Sequence, residues 1–428
     1  MNVRNPVVRI VLIVLLLGAA VCSYFAVRWY IGNTLAEHFN PDQNNMRIAE
    51  MAVGLAPHDP LTHWRIAQVS QKLLPLDQQA KALAEYERAV SLSPNDYRFW
   101  MALGTAYEQV GESTKGEQAL KRAVALAPSY AYPRWYLGNL LLRNGRYEEA
   151  FKELSLAADA NAELEPQLFN FLWAIYSDNL DALKTTIGEG SDRTARFALY
   201  LLNQQRYDDG LRVWDTLSDE EKKKNRQTGE FVAGNLILAK RYHDAVKVWN
   251  DIVANARYRV EFATVFDGSF EEAINYGQEM AFGWQVKDVP QLQIGIDPTN
   301  SNSGSRSLRL LFQVRANLAD MNVSQLIPVA GNSEYDFEFY MKTEKLQSGS
   351  TPMVQIVDAT DGGILASSPQ APSGSNPWSH LSLPFKTGNK TEAVILRIIR
   401  LSCRDDENPI CPIFGSIWYD DFSIKRRR

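Results

Sequence analysis

The chain has 428 residues, 45% of them apolar and 22% charged, with a net charge of −5. That is long enough for two or three folded domains and too apolar for global disorder. The acidic balance excludes the basic footprint of a nucleic-acid binder. No phosphate loop, dinucleotide fingerprint, metal-ligand cluster or nucleophile–base arrangement marks the sequence, so no enzyme and no catalytic cofactor are expected.

The N-terminus carries the clearest local signal. Ile10 to Val27 are 18 residues without a charge, rich in Ile, Leu, Val and Ala. At about 1.5 Å per residue they reach about 27 Å, close to the hydrocarbon core of a bilayer. Tyr24, Trp29 and Tyr30 suit an interfacial belt. Arg4 and Arg9 precede the span, which predicts a cytoplasmic segment 1–9, an anchor at 10–27 and a body on the exported side, periplasmic or extracellular. Arg28 counts slightly against that orientation. A cleaved signal peptide is the alternative, but Tyr24-Phe25-Ala26 offers no small residue at the upstream position of a cleavage site. Val21 is too bulky beside Cys22 for a lipoprotein box.

Leu35 to Gln43 reads as a short juxtamembrane segment. Helical patterning then runs from Met46 to Ala256 in pairs. In the unit Tyr97 to Pro128, Trp100, Leu103, Gly104, Tyr107, Leu120, Ala123 and Pro128 hold fixed offsets, and Pro94 to Pro128 is 34 residues. Gly104 lets two antiparallel helices approach, the aromatic and aliphatic residues fill the space around it, and Pro128 ends the second helix. Leu137, Gly138, Ala150, Leu154 and Ala157 repeat the pattern one unit on. Further along, Gly145-Arg146-Tyr147 recurs as Gln205-Arg206-Tyr207 and Lys240-Arg241-Tyr242, each a turn before an acidic helix start. One hairpin of this kind cannot bury its own apolar face, so neighbours must stack into a right-handed solenoid.

This spacing resembles the tetratricopeptide repeat. The resemblance implies a groove lined by positions 2, 5, 9, 12 and 13 of each first helix, which takes peptides or partner proteins. Here those positions hold Leu61, Trp64, Gln68, Gln71 and Lys72, then Arg98, Met101, Thr105, Glu108 and Gln109, then Tyr132, Trp135, Asn139, Leu142 and Arg143. Trp64, Gln68, Arg98, Met101, Trp135, Asn139 and Arg143 are the expected protein-binding residues. Trp64 and Trp135 are the apolar anchors, unless both merely pack on the adjacent helix.

At Tyr258 the period changes from 3.6 to 2. Leu308 to Arg315, Tyr335 to Lys342, Val354 to Ile356 and Val394 to Ile398 alternate, separated by Gly, Ser, Pro and Asn clusters, which predicts an all-β sandwich over 258–428. Its landmarks in order are Phe266 to Glu271, Gly283-Trp284, Gly304 to Leu308, Ser324 to Val329, Tyr335, Trp378 with Leu381 to Phe385, and Ile417 to Ile424. That order resembles the jelly-roll carbohydrate-binding modules, relatives of galactose-binding-like domains. The resemblance implies a sugar face on one sheet, with Gln313, Gln325, Glu338, Tyr340, Gln355 and Arg397 turned outward beside Arg309 and Arg315. Trp284 and Trp378 pack the core in that family, and a solvated sheet is the other reading of the polar ribbon. It also implies a structural calcium on Glu271, Asp420 and Asp421.

Cys403 and Cys411 flank a polar loop at a separation a disulfide can bridge. The exported body implies that disulfide, against two free thiols in a reducing compartment. Lys425 to Arg428 reads as a solvated end or as a contact for anionic glycan or lipid. The expected protein is a single-pass, non-catalytic scaffold of the cell envelope, holding envelope or membrane proteins for polysaccharide assembly or export. The alternative is a glycan-binding or glycan-processing accessory acting through the sandwich.

Overall fold

A computed structural model describes residues 6–38, 45–72, 76–187, 190–272, 281–287, 292–312, 320–401 and 412–427. The expected Cys403–Cys411 disulfide and Gln313 lie outside these residues, as does Arg315. The chain forms two compact units, Met1–Glu189 and Gly190–Arg428. The last repeats therefore share a unit with the sandwich.

Among the described residues the first unit holds helices alone. Helix α1 (Pro6–His38) is long and apolar enough to cross a membrane. It is followed by α2 (Met46–Leu55) and by four hairpins: α3/α4 (Pro60–Gln71, Leu76–Leu92), α5/α6 (Tyr97–Gln109, Ser113–Leu126), α7/α8 (Ala131–Arg143, Tyr147–Ala160) and α9/α10 (Glu165–Tyr176, Leu180–Ile187). Local chemistry sets the boundaries. Asp59 and Asp96 cap α3 and α5 by accepting from Leu61 N and Arg98 N, with Pro60 at the first turn of α3. Gly111 and Gly145 take the left-handed turn between paired helices, at φ +83° and +74°. Gln205 and Lys240 adopt the same conformation at φ 61° and 60°, so the turn recurs without glycine later in the chain.

The small residues that the repeat spacing demands sit where helices touch. A Cβ on Gly104 would stand 2.6 Å from Leu120 Cγ, and one on Gly138 2.6 Å from Leu154 Cγ. Gly104→Leu is therefore expected to cost about 1–3 kcal/mol or more by overpacking. Thermal unfolding of the full chain measures it, and an unchanged midpoint would contradict the packing. The juxtamembrane segment expected at Leu35–Gln43 is helical as far as His38, and Ala36 is buried.

The second unit opens with α11/α12 (Ser191–Asn203, Tyr207–Trp214), α13 (Asp219–Lys224) and α14/α15 (Arg226–Leu238, Tyr242–Ile252). Among the described residues ten strands follow: β1 (Gln285–Val286), β2 (Leu292–Asp297), β3 (Ser307–Phe312), β4 (Asp320–Pro328), β5 (Glu334–Gln347), β6 (Met353–Asp358), β7 (Ile364–Ser367), β8 (Gly374–Lys386), β9 (Ala393–Ile399) and β10 (Phe414–Arg426). They pair antiparallel as two five-stranded sheets, β1-β4-β9-β6-β7 and β2-β3-β10-β5-β8. Period-2 burial explains the core between them: Tyr335, Phe337, Phe339 and Met341 of β5 point in and meet Tyr419 and Phe422. Trp284 belongs to that core, donating to Asp267 O at 3.1 Å, and Trp378 is half-buried on the edge strand β8. Helix α15 is pinned to the sandwich: Tyr242 OH donates to Ala359 O at 2.8 Å, and His243 Nε2 lies 2.9 Å from Val329 O.

Candidate functional site

The groove of the first unit is built from the first helices of successive hairpins. One depression of about 390 Å³ is lined by Trp64, Gln68, Gln71, Arg98, Met101 and neighbours. A second, of about 840 Å³, is lined by Trp135, Asn139, Arg143, Tyr132, Glu163 and neighbours. Thr105, Gln109 and Tyr136 line both, so the two are continuous across α3, α5 and α7. All seven residues expected to bind protein face this one groove.

Their roles within it differ. Trp135 is 8% exposed and stacks on Phe171, ring centres 6.0 Å apart. Trp64 meets Phe99 edge-on at 5.6 Å, with Arg65 over its ring, and its indole N–H is buried without a hydrogen-bond partner. Both tryptophans thus pack on their own scaffold while walling the groove. Both of its arginines are internally paired. Arg143 Nη2 reaches Glu108 Oε2 at 2.6 Å, and Arg98 Nη2 reaches Asp96 Oδ2 at 2.6 Å. Tyr86 donates to Gln71 Oε1, and Gln71 in turn donates to Gln109 Oε1 at 2.7 Å, a relay joining two repeats. Burial pushes the Tyr86 phenol up, which keeps it a donor at ordinary pH.

The aromatic groups free to meet a ligand are others. Tyr132 is 52% exposed and Tyr136 39% exposed. Tyr136 lies off the five-position template, as do Glu163, Leu164 and Gln167, which follow the α7/α8 hairpin. Tyr132 and Tyr136, four residues apart and so on one face of α7, were the available signal.

On the sandwich the expected sugar ribbon does not form one surface. Glu338 and Tyr340 belong to β5, whereas Gln325, Gln355 and Arg397 lie on β4, β6 and β9 of the other sheet. Strand pairing causes the split, since β5 pairs with β10 and β8. Gln325 shares the parity of Val323 and Ile327 and so points inward. It is 1% exposed, accepting from Phe266 N and donating to Phe266 O, both at 3.0 Å. Gln355 is buried, accepts from Arg397 Nη2 at 2.9 Å and donates to Ser367 Oγ. The outer face of this sheet also looks onto α14: Ser324, Leu326 and Ile395 line a hollow of about 700 Å³ with Phe231 and Leu238. On the other sheet Glu338 is paired with Lys425 at 2.9 Å, and Tyr340 lies against His380, ring centres 5.0 Å apart. Arg309 and Lys342 cover Trp418 from two sides at 5.3 and 5.4 Å.

The three carboxylates expected to hold calcium grip a single loop. Glu271 accepts from Ser305 N and Oγ and from Arg306 N, and the Ser305 bonds hold its carboxyl below the usual range. Asp420 accepts from Asn302 N and Ser303 N, and burial pushes it up to about 6. Asp421 accepts from Asn302 Nδ2 and Ser303 Oγ. Among the described residues no group of three or more His, Cys, Asp and Glu side chains is placed to hold a metal. Loop donors occupy the oxygens that an ion would need.

Asp297 is the sandwich's pH-sensitive strut. Burial opposes its charge, but hydrogen bonds from Thr299, Trp418 Nε1 and Asn300 outweigh that and hold it at about 2. Its folded pKa lies below the unfolded value of about 3.9, so its contribution is present above pH ~4 and lost as pH falls toward ~2. The stability advantage of wild type over Asp297→Asn is expected to shrink across that window. A gap that stays constant from pH 5 to 2 would contradict it.

Residues 78–131 and 109–165 match the tetratricopeptide repeat family model. Superkiller protein 3 of Schizosaccharomyces pombe is 33% identical over 75 residues, 18% of this chain and 5% of that protein. DnaJ homolog subfamily C member 3 of Mus musculus is 28% identical over 136 residues, 30% of this chain and 26% of that protein. The chain thus spans 26% or less of the length of these curated relatives. Among solved structures, a xylan-binding domain from Paenibacillus barcinonensis is 13% identical, with a TM-score of 0.26, covering 39% of this chain and 96% of that domain. Residues 78–165 carry tetratricopeptide repeats, and a two-sheet β-sandwich follows the helical part of the chain.

Proposed function

We propose that this protein is a non-catalytic scaffold, anchored by α1 with its body on the exported side, that captures a protein partner in the groove of its first unit. The carrying observation is the continuity of the two depressions through Thr105, Gln109 and Tyr136. It yields a channel long enough for an extended or helical segment. Paired charges inside it favour a partner that presents apolar side chains and backbone amides over a strongly charged one. Arg4 and Arg9 ahead of the span support the orientation.

Thr105→Arg plugs the point that both depressions share. Affinity purification of the full chain from membranes is expected to lose its co-purifying protein in this variant, with the circular dichroism spectrum retained. Undiminished recovery would overturn the reading.

The Tyr340–His380 pair on the outer face of the second sheet supports a secondary role in glycan contact. Tyr340→Ala with His380→Ala is expected to abolish retention on a glycan array, and a wild type that binds no glycan defeats this role.

A further inference from the structure

The apolar span and the first repeat are one rigid piece. Helix α1 continues unbroken past Val27 to His38, and its packing on the repeats begins at Arg28, the next residue. Arg28 Nη2 donates to Gly54 O at 2.8 Å. One turn further, Gly32 brings the helices into backbone contact: a Cβ there would stand 2.7 Å from Ala56 Cβ and 2.9 Å from Ala52 O. Asn33 Nδ2 then reaches Asp59 Oδ2 at 2.9 Å, and Arg65 Nε reaches Ala36 O at 2.8 Å. The upper part of α1 is thus the partner helix of α2, and no spacer separates the apolar span from the array.

This geometry fixes heights. Helix α3 rises alongside α1, from Asn33–Asp59 to Ala36–Arg65, so α2, which turns directly into α3, runs antiparallel to α1. Ala52 and Ala56 bracket Gly54 and both meet Gly32, so Gly54 stands one turn, about 6 Å, beyond Arg28, whose side chain spans that height, and Arg47 stands about 10 Å further from the span at 1.5 Å per residue. Arg28 is the first charge after the apolar run and marks the water interface. Trp29 and Tyr30 beside it are exposed, as interfacial aromatics are. Within one helical turn of that level the α2–α3 turn presents Gly54, Pro57 and His58, all exposed, with Met51 51% exposed one turn above Gly54.

We propose that the Gly54–His58 turn is a lipid-contact surface, seated in the headgroup layer of the bilayer that α1 crosses. The proposal rests on the anchor reading above. It makes the first repeat a membrane-surface element, with α1 acting as its rigid post instead of a tether.

The test uses the full chain in nanodiscs of phosphatidylcholine and phosphatidylglycerol, with Cys22, Cys403 and Cys411 replaced by serine. A spin label is placed at Gly54→Cys or Arg47→Cys. No atom lies within 4 Å of a Cβ built on Gly54, so the label does not disturb the packing. The Gly54 label is expected to collide preferentially with oxygen and the Arg47 label with a water-soluble nickel chelate. A Gly54 label as accessible to nickel as the Arg47 label overturns the proposal while leaving the anchor standing. Release of the chain from membranes by alkaline carbonate would remove the anchor, and the proposal with it.

Discussion

Replacing Tyr132 and Tyr136 together by alanine is expected to weaken partner capture about a thousandfold, from about 2 kcal/mol per exposed aromatic anchor. Both rings line the groove and are half-free of their own scaffold, at 52% and 39% exposure, so the fold loses little. Trp135→Ala is the wrong probe for the same question. That ring is stacked on Phe171, and its removal would open a cavity costing about 3–5 kcal/mol, confounding lost binding with lost structure. Titration of the full chain against its purified partner, beside thermal unfolding of both variants, separates the two. A double tyrosine variant with wild-type affinity would remove the groove's aromatic face from the account.

Gly268→Ala is expected to destabilise the second unit by about 3 kcal/mol or more. A Cβ at that position would stand 2.0 Å from Phe422 O, a backbone atom that has no rotamer to change. Phe422 N also donates to Gly268 O at 2.9 Å, so the two segments cannot part without losing a buried bond. Phe422 is in turn an aromatic hub, packed on Phe337, Phe339 and Tyr419 within 6 Å. Gly54→Ala, with open space around it, is the control and should be neutral or stabilising. Near-ultraviolet circular dichroism during thermal unfolding reads both, and equal midpoints would contradict the close approach.

What the sequence made legible was local. Gly104 and Leu120 meet across one hairpin, and Pro94 and Pro128 repeat at a fixed period, because each helical repeat contacts mainly its neighbours. The seven groove residues followed from the tetratricopeptide resemblance that this period carries, since the resemblance says which positions of each first helix line the groove. Strand alternation likewise announced β3, β5 and β9. Pairing was hidden, because which strand neighbours which is settled by contacts far apart in sequence. That is why Glu338 and Tyr340 were grouped with Gln325, Gln355 and Arg397 across a sheet boundary. Parity alone sufficed to turn Gln325 inward, given Val323 and Ile327 on either side. The resemblance offered Glu271, Asp420 and Asp421 as ion ligands, and their loop donors, backbone amides and side chains of Asn302 to Arg306, were hidden because they lie more than 30 residues from Glu271 and more than 110 from Asp420 and Asp421. Continuity of α1 into the first repeat was obscured because its packing depends on Gly32 meeting Ala52 and Ala56, residues too small to register as an apolar stripe.

Site-specific photocrosslinking tests the central claim most directly. A photoreactive phenylalanine analogue is placed in the full chain at Tyr136, where the two depressions join, or at Tyr147, which is exposed at the start of α8 and does not line the groove. A scaffold that holds its partner in this groove gives a discrete protein adduct from position 136 and none from position 147. An adduct from position 147 alone, or none from position 136 while the partner still co-purifies, would contradict it.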